Sequence, residues 1–203
     1  MNHPKNIDDW KKEIRKYGKK CVESGYVTTV GGNISVRLDD HRFLITATTI
    51  PLDELDDSSI VEVDDKGTCQ DQKKPSKETG MHLGIYCARS EINAIVHVHP
   101  IISTTLVSID EPITPVTFEE LYFLGDSIGI CPQVAAGSKD LQESVSEGAK
   151  KHQVLVLRNH GCVAMGTTLK EAYFRVVKLE RAAQATVIAQ IFGKKIDSFP
   201  LLG

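Results

Sequence analysis

The stretch Ala94-Ile-Val-His97-Val-His99-Pro100 carries the residues best suited to chemistry in this chain. In an extended strand, residues two apart project to the same face. His97 and His99 therefore stand side by side while Ala94, Val96 and Val98 turn toward a core. Two imidazoles at that spacing can ligate one metal ion, although such a pair taken alone more often marks surface histidines on a half-exposed strand. A third imidazole follows the apolar run Val154 to Leu157, which ends abruptly in Arg158-Asn159-His160-Gly161. A histidine at a strand end, followed by a glycine turn, is well placed to face a cleft. Three histidines leave an open position on a tetrahedral zinc, as catalytic sites require. Glu78 can supply a fourth ligand or act beside the metal. It also sits near a helix start, where any carboxylate is stabilised, and spacing alone does not choose it over its neighbours. His82 can share a helix face with Glu78; it is a poorer candidate, as are His41 and His152.

Three short segments share a second chemistry, the binding of an anion. Gly31-Gly32-Asn33-Ile-Ser35 offers backbone amides, an Asn side chain and a hydroxyl. Thr48-Thr49 adds two hydroxyls before the Ile-Pro that follows, and Ser76-Lys77 places a hydroxyl and an ammonium at a helix start. Free N–H groups and the helix dipole there favour a phosphate. Each segment alone is an ordinary turn composition. Beside a metal cluster, they point to a substrate with a phosphate at one end and metal-binding oxygens at the other.

These residues need a scaffold, and hydrophobic periodicity supplies its outline. Trp10, Ile14, Tyr17 and Cys21 recur at helical spacing, predicting a helix from Asp8 to Ser24 capped by Asp8 or Asp9 and stopped at Gly25. Alternation predicts strands from Ile34 to Leu38, Arg42 to Ala47 and Ile60 to Val63, with a turn at Asp64-Asp65-Lys66-Gly67. Further helices are expected over Lys77 to Ala88, Asp140 to Lys151 and Leu169 to Phe192, with a short one from Pro100 toward Ile109. Further strands are expected over Ala94 to Val98, Ser127 to Cys131, Gln153 to Leu157 and Cys162 to Met165. Several of these strands are joined by turns too short for parallel crossovers, so a mixed or largely antiparallel sheet covered by helices is expected. The phosphate-cradling patterns G-x-G-x-x-G and G-x-x-x-x-G-K-[ST] are absent where a nucleotide site would need them.

Composition narrows the class. The 203 residues, 41% hydrophobic and 25% charged, suit one domain spanning 1–203 with no linker. Lys+Arg of 24 against Asp+Glu of 27 gives a net charge of −3, too little basic excess for a nucleic-acid-coating protein. No apolar run approaches a membrane span and the charged N-terminus lacks a secretory signal, so no membrane partner is expected. The five cysteines are odd in number and contain no C-x-x-C pair. A disulfide framework is not expected; a cytoplasmic home and five core cysteines are.

Five blocks in order, Gly31-Gly-Asn-Ile-Ser35, Leu44-Ile-Thr-Ala-Thr-Thr-Ile-Pro51, Pro75-Ser-Lys-Glu78, His97-Val-His99 and Asn159-His-Gly161, resemble the class II aldolase/adducin superfamily. The resemblance runs from about Trp10 to Phe192 and is nearest to the branch that acts on L-fuculose 1-phosphate. It implies an α/β fold of three layers, α/β/α, with a central mainly antiparallel sheet, and commonly a homotetramer with active sites between subunits. It implies zinc, or another divalent metal, on His97, His99 and His160. Glu78 would join the resting metal shell and move off to act as acid/base. Gly32, Asn33, Thr48, Thr49, Ser76 and Lys77 would bind the substrate phosphate.

The expected activity is a metal-dependent carbon–carbon lyase. A phosphorylated ketose would be cleaved through a metal-stabilised enediolate to dihydroxyacetone phosphate and a small aldehyde such as lactaldehyde. Departures from the resemblance matter. Thr48-Thr49 stands where the aldolases commonly have Thr-Gly, and Ser76-Lys77 where they have Ser-Ser. Ser-Lys-Glu is often found in related 3-oxo-tetronate 4-phosphate decarboxylases. A Glu at position 78 argues against the ribulose-phosphate 4-epimerases, and retention of all four ligands argues against a non-catalytic adducin-like module. For the cross-subunit proton donor, Glu119 takes the position of an aldolase Tyr and Glu120 resembles a Glu of the dehydratase branch. Tyr122 is the third candidate.

Overall fold

A computed structural model describes residues 6–125 and 127–197. The C-terminal segment 198–203, in which the sequence assigns no contacts, lies outside the described residues. The first helix, α1 (Ile7–Glu23), starts where Asn6 accepts a 2.8 Å hydrogen bond from the Asp9 N–H. Asn6 is therefore the cap in place of Asp8 or Asp9. Those two carboxylates sit in the first turn, where they face the positive end of the helix dipole. Gly25 follows the helix at φ +72°, a left-handed conformation that costs glycine little.

Strands β1 (Asn33–Arg37), β2 (Arg42–Thr46) and β3 (Ile60–Asp64) form a meander, and α2 (Thr79–Ala88) leads to β4 (Ala94–Val98). Then come α3 (Ile101–Ser108), α4 (Phe118–Leu124), β5 (Gly129–Cys131), α5 (Lys139–Ala149), β6 (Val154–Leu157), β7 (Gly161–Gly166) and α6 (Leu169–Ile191). The seven strands make one sheet in the order β3-β2-β1-β4-β7-β6-β5. Every pairing is antiparallel except β5 with β6.

Each face of the sheet has its own core, as side-chain alternation dictates. Ile34, Val36, Ala94, Val96, Val98, Val154 and Ala164 pack with α1 and α6 on one side. Ile45, Ile95, Leu155, Val163 and Met165 pack with α2 and α5 on the other. The result is the expected three-layer α/β/α arrangement with a mainly antiparallel sheet.

Two further expectations shift. Helix α2 starts at Thr79, not Lys77, because the preceding chain is held as an extended bridge. The Thr48 N–H donates to Lys74 O at 3.0 Å and the Ser76 N–H to Thr46 O at 3.1 Å, around the Ala47–Pro75 pair. The cysteines are not all core: Cys21, Cys131 and Cys162 are buried, Cys69 is half-buried and Cys87 is exposed on the outer face of α2. Among the described residues, no helix is long and apolar enough to cross a membrane.

Candidate metal centre

Strand β4 lies between β1 and β7, so His97 is opposite Asn33 on one side and Val163 on the other. His97 is fully buried, and its Nδ1 donates to the Cys162 carbonyl at 3.0 Å. That bond fixes the tautomer and leaves the Nε2 lone pair free for a metal. Beyond the strand end, the His99 N–H donates to the Tyr26 carbonyl at 2.9 Å, which holds the backbone as it leaves the sheet. The His99 Nε2 lies 3.1 Å from His97 Nε2. This is near the ~3.3 Å that separates ligand atoms in a tetrahedral site with ~2.0–2.1 Å bonds.

His160 arrives from the tight turn between β6 and β7, where Asn159 takes φ +57° and the His160 N–H donates to Leu157 O at 3.0 Å. The turn is tied from outside. Asn159 N–H donates to Ser108 Oγ at 2.8 Å, and Asn159 Nδ2 donates to Gln133 Oε1 at 2.7 Å. The ligand atoms of His97, His99 and His160 all fall within 4.8 Å of one another.

Three glycines make room for the rings. A Cβ on Gly31 would lie 2.8 Å from His99 Nδ1, one on Gly32 2.9 Å from the His97 carbonyl, and one on Gly161 2.6 Å from His99 Cδ2. The Gly-Gly of the first block and the glycine after His160 are thus steric requirements of the histidine pair, in addition to Gly32 adopting φ +74°.

Glu78 is the carboxylate that tertiary structure selects. It occupies the N-cap of α2 yet makes no side-chain bond to its own helix. Its carboxylate is turned inward, with Oε2 at 3.1 Å from His97 Nε2 and Oε1 at 3.3 Å from His160 Nε2. Oε1 is buried without a hydrogen bond, since His160 approaches it in ion-pair range but outside hydrogen-bond geometry. A buried, anionic oxygen left in this state beside imidazole lone pairs is the arrangement a divalent cation satisfies. Burial by itself would raise the Glu78 carboxyl; facing His97, with Asn33 and His160 adding to it, holds it well below the usual carboxylate range. Burial, with His97 adding to it, pushes His99 down to about 4 and lowers His160, so both rings are neutral ligands near pH 7.

The anion-binding candidates converge only in part. The bridge between residues 46–48 and 74–76 brings Thr48 and Ser76 together, and the Ile34 N–H donates to Thr46 Oγ1 at 3.2 Å, tying β1 to them. Thr49 is exposed at φ +64°, strained for a β-branched residue, and Lys77 is exposed ahead of α2. Ser76 is buried and its Oγ accepts from the Glu78 N–H at 3.2 Å. Asn33 is committed at both ends: Nδ2 donates to Glu78 Oε2 at 2.8 Å, and Oδ1 lies 2.5 Å from His82 Nε2. Ser35, grouped with the anion binders by sequence, is buried and bonded to His82 and Tyr86 instead.

Helix α4 carries the remaining candidates, away from the histidines in the hydrogen-bond pattern. Glu120 forms a capping box with Thr117 and is buried, its Oε2 accepting from the Val116 and Thr117 N–H groups at 2.7 and 3.1 Å. Glu119 is exposed and pairs with Lys178 at 2.6 Å; Tyr122 is exposed. Sequence reasoning weighed His82 only as a poorer metal candidate on the Glu78 face and missed its bonds to Asn33 and Ser35. Its signal is the spacing Glu78, His82, Tyr86, four residues apart on one helix face.

Comparison with known proteins agrees with this geometry. The profile of the class II aldolase and adducin N-terminal domain family matches residues 12–187. An L-fuculose phosphate aldolase of Methanocaldococcus jannaschii is 38% identical over 178 residues, covering 88% of this chain and 96% of that protein. A 3-oxo-tetronate 4-phosphate decarboxylase of Haemophilus influenzae is 33% identical, covering 88% of this chain and 86% of that protein. A solved L-fuculose 1-phosphate aldolase superposes with a TM-score of 0.88 at 30% identity, over 99% of this chain and 94% of its own. Matched over most of its length by the family profile and by these relatives, the chain belongs to the class II aldolase and adducin family, on its carbon–carbon lyase side.

Proposed function

We propose that the protein is a single-domain, zinc-dependent aldolase that reversibly cleaves a phosphorylated ketose, such as L-fuculose 1-phosphate, to dihydroxyacetone phosphate and a small aldehyde. The observation that carries this reading is the convergence of His97, His99 and His160 on Glu78, whose Oε1 is buried and unbonded. These four side chains would hold the zinc. A divalent metal there supplies a Lewis acid for the substrate carbonyl and compensates charge as the carbon–carbon bond breaks. The phosphate is held by Gly32, by Thr48 and Thr49, and by Ser76 and Lys77, supported by the bridge that joins the last two pairs, while Asn33, whose amide is bonded to Glu78 and His82, borders this segment without a free side-chain group for the anion. In cleavage, the hydroxyl of the departing fragment loses its proton as the bond breaks. That proton would pass to the acid/base group serving the aldehyde oxygen; the electron pair left on the three-carbon fragment would take a proton from Glu78, whose carboxylate would first have picked one up from solvent on leaving the metal shell.

Glu119 and Glu120 are the acid/base candidates for the aldehyde oxygen, acting across a subunit boundary. Glu120 is spent on its cap within the chain, so exposed Glu119 is favoured, with Tyr122 beside it. A homotetramer is supported by exposed apolar side chains at Ile188, Ile191 and Phe192. A cytoplasmic setting is supported by cysteines that are all free thiols.

A second reading, decarboxylation of a 3-oxo-tetronate 4-phosphate, is favoured by Lys77 and by the decarboxylase relative. The test is turnover of the zinc-loaded protein on both substrates, with dihydroxyacetone phosphate and CO₂ assayed in parallel and a Glu78→Gln control. Glu78-dependent release of dihydroxyacetone phosphate is the expected result. CO₂ alone moves the protein to the decarboxylases, and silence on both refutes the proposal.

A further inference from the structure

Beneath α2, the polar side chains of two elements interlock. Asn33, Ser35 and Arg37 alternate along one face of β1, while Glu78, His82 and Tyr86 recur every four residues along one face of α2. Two strand residues advance ~6.6–6.8 Å and four helical residues ~6 Å, so the two series stay in step. Five hydrogen-bonded groups result. Tyr86 Oη lies 2.8 Å from Ser35 Oγ, which lies 2.7 Å from His82 Nδ1; His82 Nε2 lies 2.5 Å from Asn33 Oδ1, and Asn33 Nδ2 lies 2.8 Å from Glu78 Oε2. Arg37 closes the far end, donating to the Tyr86 carbonyl at 2.7 Å.

The direction of every bond follows from the carboxylate end. The Glu78 carboxylate only accepts, so the Asn33 amide nitrogen faces it and Asn33 Oδ1 faces His82. Oδ1 only accepts, so the His82 proton is on Nε2. Its Nδ1 then accepts from Ser35, and Ser35 accepts from Tyr86. All donors point toward Glu78, and each bond polarises the next.

We infer that His82, in the tautomer set from the Glu78 end and matched by Ser35 and Tyr86, is a positioning residue that acts through Asn33 to hold the Glu78 carboxylate against the metal. This inference rests on the reading of Glu78 as metal ligand and proton carrier given above. Its physical content is an orientation. With Oε2 bound by Asn33, the carboxylate cannot rotate toward its own helix N-terminus, and Oε1 stays toward His160. If His82 lost the Nε2 proton to Nδ1, a lone pair would face Asn33 Oδ1. The amide would then flip and set its oxygen against Glu78. The Glu78 carboxylate opposes this, since it would face an oxygen, and Ser35 supports the opposite arrangement by donating to Nδ1, which gives a hydroxyl two strand positions from Asn33 a function other than anion binding.

The test is a double-mutant cycle on zinc affinity, measured by competition with a chelator and accompanied by thermal melting. His82→Leu is expected to weaken zinc binding about 10–100-fold, and His82→Gln, whose amide can donate to Asn33 Oδ1, to recover most of it. In a Glu78→Gln background, His82→Leu should change affinity by no more than about two-fold, because its route to the metal is gone. Additive losses in the two backgrounds overturn the inference, as does a lowered melting temperature with unchanged affinity. If His82→Leu does not fold, Ser35→Ala supplies the same cycle with a smaller deletion and the same expected vanishing effect. Unchanged affinity in Glu78→Gln itself refutes the reading of the site, and the inference with it. Loss in Glu78→Gln with additive behaviour at His82 and Ser35 refutes the inference alone.

Discussion

Gly161 follows the third histidine, and its hydrogen is the only atom for which there is room. A Cβ on it would stand 2.6 Å from His99 Cδ2 and nearer still to the Val98 carbonyl oxygen. The carbonyl cannot retreat, because β4 is paired on both edges, with Val98 opposite Cys162. The turn that carries His160 and Gly161 must shift instead, and the His99 ring must give way by about 0.5–1 Å before the contacts become ordinary. Gly161→Ala is therefore expected to cost about 1–3 kcal/mol of stability as overpacking, or roughly 2–4 °C of melting temperature per kcal/mol in a chain of this length. It should also weaken zinc binding about 10–100-fold by misplacing a ligand.

The control is Gly166→Ala at the other end of the same strand. Its Cβ would meet backbone atoms, Ala172 N at 2.8 Å and Thr168 O at 2.9 Å, and Gly166 is opposite Ala94, remote from the histidine end. It should lose comparable stability with zinc affinity unchanged. Melting curves of the metal-free proteins and chelator competition on both variants make the comparison. Equal losses of affinity in the two variants, or none in Gly161→Ala, would refute the argument that Gly161 exists to seat His99.

Three further outcomes follow from the same geometry. Zinc binding only the folded chain stabilises it by about 2.7 kcal/mol at a hundred-fold excess over Kd, so a strong chelator should lower the melting temperature by roughly 5–11 °C. A melt indifferent to chelator counts against a closed ligand set. Burial, with His97 adding to it, pushes His82 down to about 3, so the unfolded chain binds a proton there that the folded one does not. Stability present above pH 6.5 is therefore lost as pH falls toward 3, by roughly 2 kcal/mol at pH 5 from His82 alone. Denaturant titrations of metal-free protein at pH 7.5 and 5 should show it, and His82→Gln should flatten the slope. Thr49 is held at φ +64° in an exposed turn; Thr49→Gly should relieve about 1–3 kcal/mol of strain against about 0.5–1 kcal/mol of added chain entropy. The variant should therefore melt slightly higher, and a lower melting temperature would show that the Thr49 side chain contributes more than its strain costs.

Much of the site was legible in the residues because its information is local. Period-two alternation alone puts His97 and His99 on one face of β4 and Ala94, Val96 and Val98 on the other, where the structure has them. The apolar run before His160 and the glycine after it likewise define a strand end and a turn without reference to the rest of the chain. The ordered blocks identified the family and, through it, the layer architecture. Local pattern failed where a competing local choice existed: Asn6 took the cap that Asp8 and Asp9 could have filled, and α2 yielded its first residues to the bridge with residues 46–48.

What tertiary structure alone decided was partnership between distant segments. By spacing Glu78 was one of several carboxylates, singled out only through the family resemblance; the placement of β1 beside β4, and of α2 over both, is what turns it onto His97 and His160. His82 read as a marginal ligand and Ser35 as an anion binder until α2 came down on β1 and made them consecutive members of one hydrogen-bond chain. Residue types and short spacings fix which face of an element a side chain occupies, since that depends on backbone period. Which faces meet depends on the order of strands in the sheet, and that order is set by burying both cores at once.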